Sequence, residues 1–293
     1  LKYIIKTIQA LFLSPFAGHL LSTLLRNRSD KFWLRVFVPL NTHFKSGSFR
    51  LCRRGGINFL LDLSDYQSWL LYFHSSADSS EQVVNYVFTG DSVFDIGGNI
   101  GQTALLLAEK VSPSGMVYSF EPYLSTFDWF KTNLFLNPEI QNIKVSNIAL
   151  GNTVLSTEMH KDCFTNTGSY RIASSLNPKI ISSLQVNVST LDDFILSNDI
   201  HKVDFIKIDV EGYELKVLKG AIDSIRRYKP ILYIEVNNDN LIKYGDCAQS
   251  LFSFIFTLGY QVFEVKSGIE VKTKTDFKAN HGDIYCIKNK SYN

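Results

Sequence analysis

The chain has 293 residues, 45% of them hydrophobic and 20% charged, a balance that supports a folded core and excludes a disordered tail or a fibre. Thirty Lys and Arg against 28 Asp and Glu give a net charge of +2, without the basic excess of a dedicated nucleic-acid binder. At this length one or two domains and a small-molecule partner are expected.

The first predicted elements are helical. From Ile4 to Leu25 apolar residues recur at a helical period interrupted by Ser14-Pro15. Lys6, Gln9, Ser14 and His19 break any apolar run of membrane-spanning length. The pattern fits two short helices packed on the main body, with peripheral membrane contact through residues 1–25 and a signal peptide as the alternatives. The runs Ser48 to Cys52 and Ile57 to Leu63 flank Arg54-Gly55-Gly56, which reads as a hairpin turn. Residues 1–65 are thus expected to be a helical segment and β-hairpin cap, followed by the main domain at 66–293, with Tyr66 and Trp69 in its first helix. Cys52, Cys163, Cys247 and Cys286 are scattered with no C-x-x-C pair, so neither a zinc ribbon nor a disulfide framework is expected and a reducing, cytoplasmic setting is the simplest reading.

After Asp91 short β-rich runs alternate with helical ones, the signature of a doubly wound α/β sheet. The predicted order is strand Ser92 to Ile96, helix Gln102 to Glu109, strand Met116 to Phe120, helix Ser125 to Leu136 and strand Ile143 to Ser146. Residues 151–189, rich in Ser, Thr and Asn, read as irregular with weak strand signals. Thr190 with Asp192 and Asp193 then opens a helix. Strand Val203 to Ile208, helix Tyr213 to Tyr228, strand Ile231 to Val236 and helix Asp246 to Leu258 follow. The last strands, Gln261 to Val265 and Asp283 to Ile287, have no helix between them and should be antiparallel.

The first strand runs into Asp95-Ile96-Gly97-Gly98-Asn99-Ile100-Gly101. Glycines there let the backbone turn tightly, and the helix N-terminus that follows offers free N–H groups. The second strand ends at Glu121-Pro122, where an acid about 20 residues past the loop is placed for ribose hydroxyls. NAD and S-adenosylmethionine both contain adenosine. A dinucleotide G-x-G-x-x-G needs glycine at 99, and the chain has Asn99. Asp95 would sit badly beside a pyrophosphate but well beside an ammonium, which tilts the reading toward the sulfonium cofactor.

These runs, together with Leu191-Asp192-Asp193, Ile206-Lys-Ile-Asp-Val-Glu-Gly-Tyr-Glu214 and Val217-Leu218-Lys219-Gly220-Ala221, resemble the FkbM-type methyltransferase family from about Tyr66 to Ile287. One departure is Gly98, where the family usually has Ala. The resemblance implies a class I S-adenosylmethionine-dependent fold with seven strands ordered 3-2-1-4-5-7-6, strand 7 antiparallel. It also implies O-methylation of a hydroxyl on a sugar, glycan or secondary metabolite. The alternatives are a non-catalytic adenosyl-cofactor-binding module and an NAD-dependent oxidoreductase.

In open α/β sheets ligands sit at the carboxyl ends of the strands. On that rim Gly97, Gly98, Asn99 and Gly101 are expected at the methionine portion, with Asp95 ordering the loop. Glu121 with Pro122 is expected at the ribose, and Asn147 or the backbone around Ile148 and Ala149 at the adenine. An alcohol acceptor must lose a proton, and Asp209, Glu211, Glu235 and His281 are the candidate bases. Asp209, which also lies on the cofactor rim, and Glu211 are favoured, although Glu211 could instead cap the next helix. Residues 266–282, including His281, form a candidate substrate wall. Mg²⁺ held by Asp209, Glu235 and Asn237 is a further, unfavoured option.

Overall fold

The computed structural model describes residues 2–26, 32–73, 82–161, 170–172, 182–273, 276–277 and 280–288. Helices α1 (Lys2–Leu11) and α2 (Pro15–Arg26) are bent by 105°. The break falls at Ser14, whose hydroxyl accepts from the Ala17 N–H, with Pro15 at the first helical position. No single described helix is long and apolar enough to cross a membrane. Strands β1 (Phe49–Arg54) and β2 (Ile57–Asp62) form an antiparallel hairpin. Both turn residues, Gly55 and Gly56, have positive φ (53° and 89°), as a two-residue turn matched to strand twist requires. Helix α3 (Tyr66–Phe73) follows Asp65, whose carboxylate accepts from the Ser68 N–H.

The α/β body begins with β3 (Ser92–Ile96), α4 (Gln102–Val111), β4 (Met116–Phe120), α5 (Leu124–Phe135) and β5 (Ile143–Ser146). Helix α5 seats the N-terminal hairpin. The buried side chains of Asn133 in the helix and Asn137 just past its end accept from the Leu60 and Asn58 N–H groups at 2.8 and 2.7 Å, and Trp129 Nε1 donates to the Leu60 carbonyl. Leu21 and Leu25 of α2 pack in one cluster with Phe59, Leu61, Ile100 and Leu105, so the N-terminal layer shares a core with the body.

Where they are described, residues 151–189 are mostly strand rather than irregular. Strands β6 (Ala149–Leu150), β7 (Leu155–Lys161), β8 (Tyr170–Ile172) and β9 (Ser182–Ser189) form a second sheet ordered β6-β9-β7-β8. Its polar composition hid the alternation, because one face is solvated. Residues 166–169, where the sequence suggests an exposed turn or a substrate loop, and Cys163 lie outside the described residues.

Helix α6 (Leu191–Ser197) starts at Thr190, whose hydroxyl accepts from the Asp193 N–H. Strand β10 (Phe205–Ile208) leads into two helices where one was expected, α7 (Glu214–Lys219) and α8 (Ile222–Tyr228). The break is at Gly220, packed so closely on the Gly151 carbonyl that a Cβ would lie 1.9 Å from its oxygen. The chain ends with β11 (Ile231–Asn237), α9 (Asn238–Ile242), α10 (Ala248–Thr257), β12 (Tyr260–Glu264), β13 (Glu270–Val271) and β14 (His281–Lys288).

The main sheet is ordered β13-β12-β14-β11-β10-β3-β4-β5. Neighbours from β11 to β5 are parallel, and β14 is antiparallel to both β11 and β12. The two-residue β13 is an eighth strand that sequence patterning does not reveal. Strands β3 and β10 are buried at every position, so they read as apolar runs interrupted only by Asp95, Lys207 and Ser92.

Candidate active site

The loop after β3 turns through Gly97 (φ +92°), Asn99 (φ +48°) and Gly101 (φ +90°). The N–H groups of Gly97 and Gly98 both donate to the Phe120 carbonyl, which ties the loop to the end of β4. The room these glycines leave is taken by the protein itself. A Cβ on Gly97 would lie 1.9 Å from the Asp209 carbonyl oxygen, and one on Gly101 2.2 Å from the Phe130 ring. At Gly98 a Cβ would meet Ser119 Oγ at 2.3 Å and Phe130 at 2.9 Å. Both neighbours are fully buried, so Ser119 and Phe130 account for the glycine where the family usually has Ala.

Glu121 binds the two loops together. One carboxylate oxygen accepts from the Asn99 N–H and the other from the Tyr123 N–H, both at 2.9 Å. Burial pushes its pKa up to about 7, although the N–H groups of Tyr123 and Asn99 pull it down. Each oxygen retains acceptor capacity after its one bond. Asn147, just past β5, donates its amide to the Glu121 and Pro122 carbonyls at 2.9 Å each. Its NH₂ group is therefore spent on the loop, and only its side-chain oxygen is left for a ligand. Ala149 is buried in β6, opposite Val188.

Register and the two-residue strand period build a polar row across the sheet. Lys207 is paired with Asp95 on one side and Tyr233 on the other, and Glu235 with Asp283. Lys207 Nζ lies 3.3 Å from Asp95 Oδ1, from Asp209 Oδ2 and from the Gly97 carbonyl. Burial works to lower the lysine's pKa, but Asp95 and Asp209 more than offset it and the net shift is upward. Asp95 is fully buried beneath the loop, and its other oxygen accepts from Ser119 Oγ at 2.9 Å. The expectation that Asp95 faces a ligand is therefore corrected: the ammonium beside it belongs to Lys207.

Asp209, Glu211, Glu235, Asp283 and His281 gather on the rim. His281 Nε2 lies 2.8 Å from Glu235 Oε1. Burial, then the charge of Asp209, raises the Glu235 pKa; the hydrogen bond that His281 donates to Glu235 raises that of His281 against the effect of burial. Asp283, which accepts from the Tyr233 hydroxyl at 3.1 Å, is pushed up to about 6 by burial and by Asp209. A cleft beside the loop is lined by Thr103, Lys207, Asp209, Tyr233, Glu235 and Asp283, among others. Glu211 (φ +55°) accepts from the Asn240 amide at 2.6 Å. The capping role considered for Glu211 is not seen, since the N-cap of α7, Tyr213, has no side-chain cap bond; the buried Glu214 carboxylate instead closes the preceding turn, accepting from the Gly212 and Val210 N–H groups at 2.9 and 3.3 Å. Among the described residues no group of three or more His, Cys, Asp or Glu is arranged to hold a metal ion. Beside Asp209 the positive charge is supplied by Lys207.

The sequence model of the methyltransferase FkbM domain matches residues 95–262. The chain belongs to the FkbM methyltransferase family. The matched span takes in both cofactor-side loops and the Asp209 turn, while His281, Asp283 and the N-terminal layer of this FkbM chain lie outside it. Hexuronic acid methyltransferase AglP of Haloferax volcanii is 25% identical over 136 residues, covering 46% of this chain and 52% of AglP. Methyltransferase 1 of Beauveria bassiana is 28% identical over 153 residues, covering 46% of this chain and 61% of its own length. The FkbM chain thus spans between half and two thirds of these two curated relatives. Among solved structures, methyltransferase FkbM from Methylobacillus flagellatus KT has 20% identity and a TM-score of 0.46, covering 76% of this chain and 55% of that one.

Apart from the added β13, the main sheet has the strand order expected of a class I S-adenosylmethionine-dependent methyltransferase, and the residues present fit that cofactor. Glu121 is a buried carboxylate with free acceptor capacity at the end of the second body strand. In the neighbouring loop Asn99 Oδ1 is buried with no hydrogen-bond partner from the chain. Sequence reasoning missed Lys207, Tyr233 and Asp283. The available signal was Lys207 itself, a lone charge in the Phe-Ile-Lys-Ile run of a central strand, where both faces are covered.

Proposed function

We propose that this protein is an S-adenosylmethionine-dependent O-methyltransferase acting on a hydroxyl of a sugar, glycan or secondary metabolite. The observation that carries this reading is the Glu235–His281 pair, a proton acceptor held at 2.8 Å on the rim next to the loop at 97–101. Alcohols are weak nucleophiles until a positioned base takes their proton. The name of AglP, a hexuronic acid methyltransferase, supports a sugar-like acceptor.

Bound S-adenosylmethionine supplies a methyl carbon already activated for displacement. Gly97, Gly98, Asn99 and Gly101 shape the wall for the methionine portion, Glu121 accepts the ribose hydroxyls, and Pro122, Asn147 and Ala149 border the adenine. Asp209 is held in an ion pair with Lys207, and Glu211 is engaged by the Asn240 amide. Both are better suited to stabilising positive charge on His281 as it takes the acceptor's proton. Positioning then supplies much of the rate.

S-Adenosylhomocysteine should raise the melting temperature, as a ligand selective for the native state does. With labelled donor and candidate hydroxyl acceptors, mass spectrometry should find a new methyl ether; a methyl ester or methyl amine as sole product overturns O-methylation, and binding without any product leaves a binding module. Glu121→Ala should weaken cofactor binding by about 1.5–3 kcal/mol, the range for hydrogen bonds to a charged group. Isothermal titration checks this, and an unchanged affinity removes Glu121 from the ribose site.

A further inference from the structure

The net charge of +2 conceals an uneven distribution. The first 65 residues hold ten Lys and Arg and three acids, Asp30, Asp62 and Asp65, whereas the remaining 228 hold 20 basic and 25 acidic residues. The N-terminal layer is therefore strongly basic and the catalytic body acidic, which orients the molecule in the field of a charged surface.

That basic layer also exposes apolar side chains in an ordered array. Helix α2 is apolar on two faces. Leu21 and Leu25 are packed into the core, while Phe16 (84% exposed), Leu20 and Leu24 form an outward stripe at four-residue spacing. Helix α1 repeats the arrangement: Ile5 and Ile8 are half-buried, and Tyr3 (85% exposed), Ile4 and Leu11 face out. Gln9 fixes α1 in place by donating to the Val36 and Val38 carbonyls at 2.9 and 3.3 Å. The exposed Lys6 stands one turn from Tyr3 on the outer side. An apolar stripe beside exposed cationic side chains is the composition of a helix that lies in a membrane interface, its ring and aliphatic groups below the headgroups and its charges among them.

We propose that α1 and α2 dock this protein onto an anionic lipid surface, with the outer faces of both helices inserted and the catalytic body held away by its negative charge. The 105° bend and the anchoring of Leu21 and Leu25 in the core make this a surface contact. Excess positive charge selects anionic lipid over a second copy of the same basic face, which would repel itself.

Sedimentation of the full chain with vesicles tests this. The protein should bind vesicles containing about 30% phosphatidylserine and not pure phosphatidylcholine, and lose at least about tenfold in affinity between about 0.1 and 0.5 M salt. The triple substitution Phe16→Ser, Leu20→Ser, Leu24→Ser should weaken binding about tenfold or more while the protein stays folded by circular dichroism, since all three side chains point outward. Should that variant fail to fold, Lys6→Glu with Lys45→Glu, both exposed, should weaken anionic-vesicle binding in its place. Equal binding to neutral and anionic vesicles, or binding to neither, overturns the proposal. So does a lipid-free dimer, seen by light scattering and lost with the triple substitution, that blocks vesicle binding.

Discussion

Replacing Lys207 with methionine should destabilise the protein by about 3–5 kcal/mol, the usual cost of removing one partner from a buried ion pair. Lys207 is almost wholly enclosed, and its ammonium lies 3.3 Å from the carboxylates of Asp95 and Asp209 and from the Gly97 carbonyl. Asp209 can turn to water; Asp95 has no exposed surface at all. Without the lysine, Asp95 must take up a proton or remain as a buried, uncompensated charge. The double variant Lys207→Met, Asp95→Asn removes both charges and should recover most of the loss. Urea denaturation measures both. A single-variant loss below about 1 kcal/mol would place the pair among weak surface ion pairs and contradict the structural role.

The second large effect is on turnover. His281→Ala should lower kcat by about 10²- to 10⁴-fold, the contribution of a positioned general base, and leave cofactor affinity unchanged, since the cofactor contacts proposed above fall to the loop at 97–101, Glu121, Pro122, Asn147 and Ala149. The pH profile separates this from a loss of structure. A base must be unprotonated to accept a proton, and Glu235 raises the His281 pKa above its ordinary value. Activity should therefore rise with pH on the alkaline side of about 6.5, the unperturbed imidazole value. Glu235→Gln removes the negative charge that raises it, so the limb should move to lower pH while the maximal rate falls, because the imidazolium formed in the reaction has lost its partner. A rate insensitive to His281→Ala would return the proton to Asp209 or Glu211.

Much of the body was legible because its signals are local. Glycines that must adopt positive φ, an acid at a strand end and alternating strand and helix periods leave their mark within a few residues. The hairpin turn at Gly55-Gly56, the Thr190 cap and the antiparallel final pair follow from such signals. What was not legible depends on partners distant in the chain. Lys207 meets Asp95 across more than a hundred residues through strand register, and His281 meets Glu235 only because β14 runs back beside β11. Whether Glu211 caps the next helix depended on its left-handed φ and on Asn240, far along the chain, whose amide donates to its carboxylate. The split between α7 and α8 rested on Gly220 touching Gly151, a contact with no local trace.

The small sheet formed by β6 to β9 is attached to the body in a way that tolerates change of length. The excursion leaves the body at Ala149 and Leu150 and returns at Val188 and Ser189, and these residues are paired side by side. With its entry and exit already adjacent, this cassette closes a loop whose entropy grows by only about 0.6 kcal/mol for each doubling of length. Its interior can be lengthened, shortened or exchanged with little disturbance to the Glu121 junction or the Lys207 ion pair. Length changes in this cassette can thus accumulate without reaching the parts proposed to handle the donor.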